Sequence, residues 1–258
     1  MSLNFQPNQP GKIILYYFDI YGKGEPIRML LNYAKVPFED LRLTEGDFKQ
    51  LRDLGKFEFK QVPVLELQNG KCYSQSQSIL RMIGKAFGLY PIADKLNEDV
   101  QKEMNAVEAE RFKALSEEDR QIDRINAIRE GQEIDSILEA NFKQRFEWLN
   151  LEMETDQNRV QTLMPDYFQD TVTPYFEALE NKLKAQGDYS CYLVNNKMSI
   201  ADFDTASYGL GLFMNPNNKF YELHQKEIQK YPRLIKYYQD FREQFKDYFN
   251  NRNNKLPY

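Results

Sequence analysis

The sequence predicts a two-part protein, with an α+β domain near the N-terminus followed by an all-helical domain. Strand and helix signals alternate through the first 90 residues, and strand signals then give way to charged helical periodicity after about residue 96. The stretch 88–97 contains a proline and is typical of a linker. We therefore place the first domain at 11–90 and the second at 98–250.

The first domain has the predicted order β-α-β-α-β-β-α. Four segments are apolar and β-prone, and are predicted strands: 12–18, 38–43, 62–67 and 71–74. Three segments are predicted helices, the second of them short and polar: 25–35, 45–54 and 76–88. Pro26 fits the first turn of its helix, and Asn69-Gly70 is a hairpin signal between the last two strands. This order predicts a small mixed sheet with helices packed on it.

The second domain shows two signals. Its segment 116–135 is almost uniformly charged, which is typical of a solvated surface helix or an insertion. Further on, Ser199 and Asp202 have the spacing of an N-cap and N3 residue, so a helix is predicted to begin at Ser199.

Composition excludes several functions. A net charge of −5 without a basic run argues against a nucleic-acid or anionic-membrane surface. No stretch is long and apolar enough to span a bilayer, and the polar N-terminus lacks a signal-peptide pattern. The two cysteines, Cys72 and Cys191, favour a reducing, cytoplasmic setting, and with the single His224 they make no recognisable zinc site.

The stretch 61–80 suggests a binding site. Pro63 has no N–H to donate, and a cis Val62–Pro63 bond would turn the Val62 backbone groups toward an extended peptide laid alongside. Gln75 and Ser76 stand where a strand meets a helix, and the free N–H groups of that helix suit a carboxylate. The stretch thus fits either a pocket for a small peptide or an ordinary strand-turn-helix joint.

These motifs, in this order and spacing, resemble the cytosolic glutathione S-transferases. The resemblance is to their sigma class, which includes glutathione-dependent prostaglandin D synthases and the related S-crystallins. The resemblance rests on the segments 15–40, 62–67, 76–91, 198–203 and 230–241. It implies a thioredoxin-like N-terminal domain, an all-α C-terminal domain and a cytoplasmic homodimer that uses glutathione as co-substrate. It also implies that Tyr17 is the catalytic tyrosine, while strand alternation turns Tyr16 to the other face.

The resemblance assigns further residues to the glutathione site. Lys23 replaces a family arginine, Phe48 replaces a tryptophan, and Arg52 keeps the positive charge of a family lysine. Further expected contacts are Gln61, Val62, Pro63, Gln75, Ser76 and, from the partner subunit, Glu108 or Glu110. The electrophile pocket is expected between the domains, lined by Ile20, Tyr21 and Phe112. No metal is expected, because the aspartate cluster of some prostaglandin synthases is not visible in 105–112.

The implied reaction is attack by the glutathione thiolate on a small hydrophobic electrophile, with Tyr17 donating a hydrogen bond to sulfur. A glutathione-dependent isomerase or peroxidase and a non-enzymatic structural or interaction protein on the same fold remain as alternatives. The segment 116–160 is longer than its family counterpart. Phe146 and Trp148 give it an apolar anchor, and it is expected to cover the pocket, extend a dimer or project outward.

Overall fold

The computed structural model describes residues 11–93, 115–187, 190–252 and 256. Its N-terminal region contains four strands, β1 Ile13–Phe18, β2 Phe38–Leu43, β3 Val64–Glu66 and β4 Cys72–Ser74. Three helices alternate with them, α1 Glu25–Tyr33, α2 Glu45–Asp53 and α3 Ser76–Ala86. The predicted order of elements is confirmed.

The strands form one mixed sheet in the order β2-β1-β3-β4. β1 pairs in parallel with β2 and antiparallel with β3, which pairs antiparallel with β4. The crossover from β1 to β2 is α1, as parallel neighbours require. β1 is thus a central strand. The residues that follow it lie at its carboxyl end, beside α1.

β3 is shorter than the sequence predicted, because it begins at Val64 rather than at residue 62. Pro63 precedes it and lacks the N–H that a ladder position needs. The hairpin to β4 is closed by Gly70, whose N–H donates to the Leu67 carbonyl at 2.8 Å and whose φ is +79°. The predicted turn at Asn69-Gly70 is therefore confirmed.

The described part of the C-terminal region is helical. Its helices are α4 Glu117–Glu152, α5 Gln157–Asp166, α6 Thr173–Ala185, α7 Ile200–Tyr208, α8 Tyr221–Ile228, α9 Pro232–Gln244 and α10 Lys246–Asn251. Two π-helical segments, Tyr167–Val172 and Gly209–Phe213, follow α5 and α7. At the start of α7, the Ser199 N–H donates to the Asp202 carboxylate at 2.8 Å, as the predicted capping box requires.

α4 is 36 residues long and has two different halves. Its first half carries exposed isoleucines at positions 122, 125 and 128, whereas Ile134 and Leu138 in its second half are fully buried. The anchor predicted for this segment is half right, because Trp148 is buried but Phe146 is 55% exposed. Of the described helices, none is long and apolar enough to cross a membrane.

The two regions share one large apolar core that runs from the sheet into the helices. α1 packs on α7, and α3 is tied to α4 by the Arg81–Asp135 ion pair at 2.8 Å. The predicted linker is packed where it is described, since Leu89 is buried and its carbonyl accepts the Ile200 N–H at 3.0 Å. The carboxyl end of β1, beside α1, is thereby held close to α4.

Candidate glutathione site

Tyr17 lies at the end of β1 with its side chain only 6% exposed. Its hydroxyl oxygen accepts the backbone N–H of Lys23 at 2.9 Å. Gly22 and Gly24 lie against the ring, where a Cβ atom would come within 2.6 Å of the Tyr17 hydroxyl and 2.5 Å of its Cδ1, respectively. The loop after β1 therefore fixes the ring on one side and uses the oxygen as an acceptor, which leaves the phenolic proton to donate elsewhere.

The guanidinium of Arg28 covers the Tyr17 ring, 5.6 Å from its centroid. Arg28 is buried on α1 and donates to the carbonyls of Phe18 at 3.2 Å and Ile20 at 2.9 Å. Its Nε donates to the Asp40 carboxylate at 3.0 Å. Arg28 thus ties the loop after β1 to both α1 and β2, a role that the sequence reasoning missed because nothing in the helix pattern distinguishes it from a surface arginine.

Tyr16 points to the opposite face of the sheet, as alternation predicted. Its ring packs edge-on against Phe57, and its hydroxyl donates to the Glu66 carboxylate at 2.6 Å. Burial, followed by that carboxylate, raises the pKa of Tyr16 to about 12. Of the two adjacent tyrosines, Tyr17 alone faces the loop after β1.

The electrostatics keep Tyr17 protonated at neutral pH. Burial raises the pKa of its phenol above the ordinary 10.0, and the Lys23 N–H together with the charges of Arg145 and Arg28 opposes that rise. The same positive groups favour an anion next to the hydroxyl. A neutral phenol in a positive field is suited to donate a hydrogen bond to a thiolate.

α4 contributes two residues to this site that the sequence reasoning did not identify. The Lys23 ammonium lies over the Phe142 ring, 4.7 Å from its centroid. Burial, followed by the charge of Arg145, lowers the pKa of the Lys23 side chain. The two α4 residues are thus Phe142 and Arg145. They lie far from Tyr17 along the chain, so no local sequence signal identifies either of them.

The Val62–Pro63 bond is cis, as the sequence analysis anticipated. Val62 is half-buried and lies before Val64, the first β3 residue paired with β1. The Val62 backbone groups therefore stand outside the sheet ladder. Gln61, next to it, is exposed.

Gln75 and Ser76 form an open helix start. Gln75 has φ +71°, a conformation that residues with a side chain rarely adopt and that is often found at binding sites. Within the part of the chain that the structure describes, no side chain caps α3, and Ser76 is only half-buried at its first turn. The first N–H groups of α3 are thus available to an anion.

The other predicted contacts are dispersed around this region. The half-buried Phe48 packs against Phe18 at 5.3 Å and beneath Arg52, whose guanidinium pairs with the neighbouring Asp53 carboxylate at 3.0 Å. Ile20 is half-buried at the loop after β1. Tyr21 is fully buried beneath Arg252, 4.2 Å from its ring.

The predicted contacts Glu108, with its alternative Glu110, and Phe112 lie outside the described residues. So does the stretch 105–112, in which no aspartate cluster is visible in the sequence.

A sheet of this order with a cis-proline before β3, joined to a helical domain, is the fold class of the glutathione transferases. The N-terminal domain model of glutathione S-transferase matches residues 14–85, and the C-terminal domain model of the same family matches residues 144–252. Together the two matches cover more than half of the chain. The chain belongs to the glutathione S-transferase family.

Individual relatives agree with this assignment. Glutathione S-transferase alpha-3 of Rattus norvegicus is 44% identical over 82 residues, which are 31% of this chain and 37% of that protein. This chain therefore matches well under two thirds of the length of that relative. Probable glutathione S-transferase 5 of Caenorhabditis elegans is 27% identical over 230 residues, covering 86% of this chain and 93% of that one.

A solved structure is similar over nearly the whole chain. The prostaglandin synthase D of Nilaparvata lugens superimposes with a TM-score of 0.67 and 25% identity, covering 94% of this chain and 98% of that one.

Proposed function

We propose that this protein is a glutathione transferase in which Tyr17 donates a hydrogen bond to the glutathione sulfur. One observation carries the proposal: the Tyr17 oxygen accepts the Lys23 N–H at 2.9 Å, so its own proton is free to point at a ligand. A free thiol has a pKa of about 8.5, and a hydrogen bond to the thiolate lowers it. The thiol proton leaves to solvent, and the thiolate becomes the main form at neutral pH.

The peptide would lie across the first domain. The Val62 backbone would pair with the cysteinyl part of glutathione, and the open start of α3 at Gln75 and Ser76 would hold the γ-glutamyl carboxylate. The positive charges of Arg52 and Lys23 would attract the glycyl carboxylate of glutathione. The cis bond at Pro63 and the positive φ of Gln75 support this placement, since both shape the backbone at the two ends of the peptide.

The sulfur then forms a bond to an electrophilic carbon. With an aryl halide, the halide ion leaves; with an enone, the resulting enolate takes a proton from water. The pocket for the electrophile would lie between Ile20 and α4. Phe142 supplies an apolar wall there, because its ring contacts Lys23 beside Tyr17.

Removing the Tyr17 hydroxyl tests the proposal. Tyr17→Phe should raise the pKa of the bound thiol by about two units and lower kcat/KM for a chlorodinitrobenzene-type electrophile by about 100-fold. The ultraviolet absorbance of bound thiolate against pH measures the first effect. Tyr16→Phe is the matched control, and it should leave that titration unchanged because Tyr16 faces the other side of the sheet. Equal titrations for wild type and Tyr17→Phe would remove Tyr17 from the mechanism.

A glutathione-dependent isomerase of the sigma class is a second candidate. It is favoured by the similarity to the insect prostaglandin synthase D along nearly the entire chain. Product analysis with a prostaglandin endoperoxide separates the two, because isomerisation returns glutathione unchanged and conjugation consumes it. Glutathione binding without turnover of either substrate would instead support a non-enzymatic role.

We also propose that the protein is a homodimer and works in a reducing compartment. Phe59 is 53% exposed and Leu54 is also exposed in the connection between α2 and β3, so this surface offers apolar area to a partner subunit. Phe59→Ser should convert a dimer to a monomer in light scattering at micromolar concentration. Leu223→Ser, on the exposed side of α8, should leave the dimer intact. A monomeric wild type would contradict this part of the proposal.

A further inference from the structure

A buried carboxylate in the first turn of α1 joins the C-terminal segment to the N-terminal domain. Glu25 is 1% exposed. Its Oε1 accepts from the Arg252 guanidinium at 2.5 Å and from the Tyr248 hydroxyl at 3.1 Å. On its other side, the Glu25 Oε2 atom lies 3.4 Å from Arg28 Nη1. Three donors from the described part of the chain therefore share one carboxylate, and two of them come from its far end.

The third donor, Arg28, holds the loop after β1. The Nη1 atom that faces Glu25 also donates to the Ile20 carbonyl at 2.9 Å, and the same guanidinium covers the Tyr17 ring. Any movement of Arg28 toward Glu25 would lengthen its bond to the loop and uncover the ring. The geometry thus depends on how well the other two donors satisfy Glu25.

Arg252 also contacts the loop directly. Its guanidinium stacks 4.2 Å above the centroid of Tyr21, whose carbonyl accepts the Glu25 N–H at 2.9 Å. Arg252 therefore restrains the loop through the Tyr21 ring and through the Glu25 carboxylate.

We propose that Arg252 is a positioning residue for Tyr17: by neutralising Glu25 and covering Tyr21, it holds Arg28 and the loop 18–24 in the arrangement that aims the Tyr17 hydroxyl at sulfur. The inference rests on the proposed transferase function for its catalytic consequence. Without Arg252, the buried Glu25 carboxylate keeps, among the described residues, one cation, Arg28, which is drawn toward it because an unpaired buried charge is costly. The Tyr17 ring then loses its cover, and the Lys23 N–H loses its fixed position.

The test compares Arg252→Ala and Arg252→Lys with Lys246→Ala, an exposed pair-forming lysine on α10. Arg252→Ala should lower kcat/KM by about tenfold or more, since misplaced catalytic groups are inefficient. It should also raise the pKa of the bound thiol by about one unit and speed amide hydrogen exchange in 18–24. Arg252→Lys keeps the charge and should restore most of the activity. Lys246→Ala should match wild type.

A role limited to stability predicts a different result. If Arg252→Ala lowers the melting temperature but leaves the bound-thiol pKa and the exchange of 18–24 unchanged, the positioning role is overturned. If Arg252→Ala does not fold, Tyr248→Phe, which removes one donor to Glu25 and keeps the ring, supports or overturns the inference by the same readouts.

If the wild type shows no bound thiolate, the transferase proposal fails by itself. The exchange of 18–24 in Arg252→Ala then decides alone whether Arg252 positions the loop, because that measurement needs no glutathione.

Discussion

Gly24 is placed where a side chain would strike the Tyr17 ring. Its φ of −81° and ψ of −30° are ordinary helical values, so the backbone itself would accept an alanine. A Cβ atom, however, would stand 2.5 Å from Tyr17 Cδ1 and 2.8 Å from Cγ. The glycine is therefore required by the tyrosine rather than by the turn.

Gly24→Ala should displace the Tyr17 ring and lower kcat/KM by at least about tenfold, because the hydroxyl would no longer meet the sulfur in the same place. Steady-state kinetics with glutathione as the varied substrate measure this effect. Gly46→Ala is the matched control, since a Cβ at Gly46 in α2 would meet only the Thr44 hydroxyl oxygen at 3.7 Å. It should be active and slightly more stable, by about 0.5–1 kcal/mol. Equal activity of the two variants would show that the ring can move without loss.

The sequence predicted the local geometry of the candidate site where the relevant signal is local. Alternation along β1 separates Tyr16 from Tyr17, and the position of Pro63 anticipates its cis bond. Arg28 was missed although it lies only 11 residues from Tyr17, because its role depends on carbonyls and a ring brought together by folding. Arg145 and Arg252 were also missed, since their contacts join residues 59 and 227 positions apart.

At the scale of the element, α4 shows the limit of reading charge patterns. Its first half is charged and exposed, as the sequence predicted, but its second half buries Asn141, Gln144 and Arg145. In the sequence, polar residues at these positions cannot be distinguished from those of a solvent-exposed helix face. The structure shows that Asn141 and Arg145 bond to side chains of α7, whereas the Gln144 amide donates to the Thr171 carbonyl at 2.8 Å.

The centre of that contact is an ion pair between Arg145 and Asp204. Arg145 Nη1 lies 2.7 Å from the Asp204 carboxylate, which also accepts from Asn141 at 2.9 Å. Tyr175 completes the network by donating to the Asn141 amide oxygen at 2.6 Å. Because all four residues are buried, the pair tolerates the loss of both charges better than the loss of one.

Asp204→Ala should cost about 3–5 kcal/mol of unfolding free energy, because it leaves a buried guanidinium without its carboxylate. Adding Arg145→Met should recover part of that loss by removing the uncompensated charge. Urea unfolding of the two single variants and the double variant gives the coupling between the residues. Additive losses would mean that the ion pair is not what stabilises the α4–α7 contact.

At the scale of the whole molecule, the sequence predicted the division into an α+β region and a helical region. It did not predict that one apolar core runs through both. Periodicity shows which face of a helix is apolar but not which element covers it. The packing of α1 on α7 is a contact of this kind, and α7 in turn packs on α4.

Buried titratable groups make the stability of this core depend on pH. His224 is fully buried among aromatic rings, with the Phe213 and Trp148 centroids 5.0 and 5.4 Å from its own. Among the described residues, neither of its ring nitrogens has a hydrogen-bond partner. Burial lowers the pKa of His224 from 6.5 to about 3. The folded state therefore holds a neutral imidazole over a range in which the unfolded state is protonated.

The sign of the effect follows from proton binding. Between about pH 6.5 and pH 3 the unfolded chain binds the His224 proton and the folded chain does not, so this residue lowers stability as the pH falls. Asp202 acts in the opposite direction, because burial raises its pKa from 3.8 to about 6 and the folded state then binds the extra proton. The two slopes partly cancel in the wild-type protein below about pH 6.

His224→Leu removes one slope and keeps the other. The unfolding free energy of the wild type relative to the variant should fall by about 2 kcal/mol between about pH 7 and pH 5, at about 1.4 kcal/mol for each pH unit below the unfolded pKa. Urea unfolding at several pH values measures the difference, in which the Asp202 contribution cancels because both proteins contain it. Parallel curves of unfolding free energy against pH for the two proteins would show that His224 takes up its proton inside the folded core. That result would contradict an imidazole kept neutral by the surrounding aromatic rings.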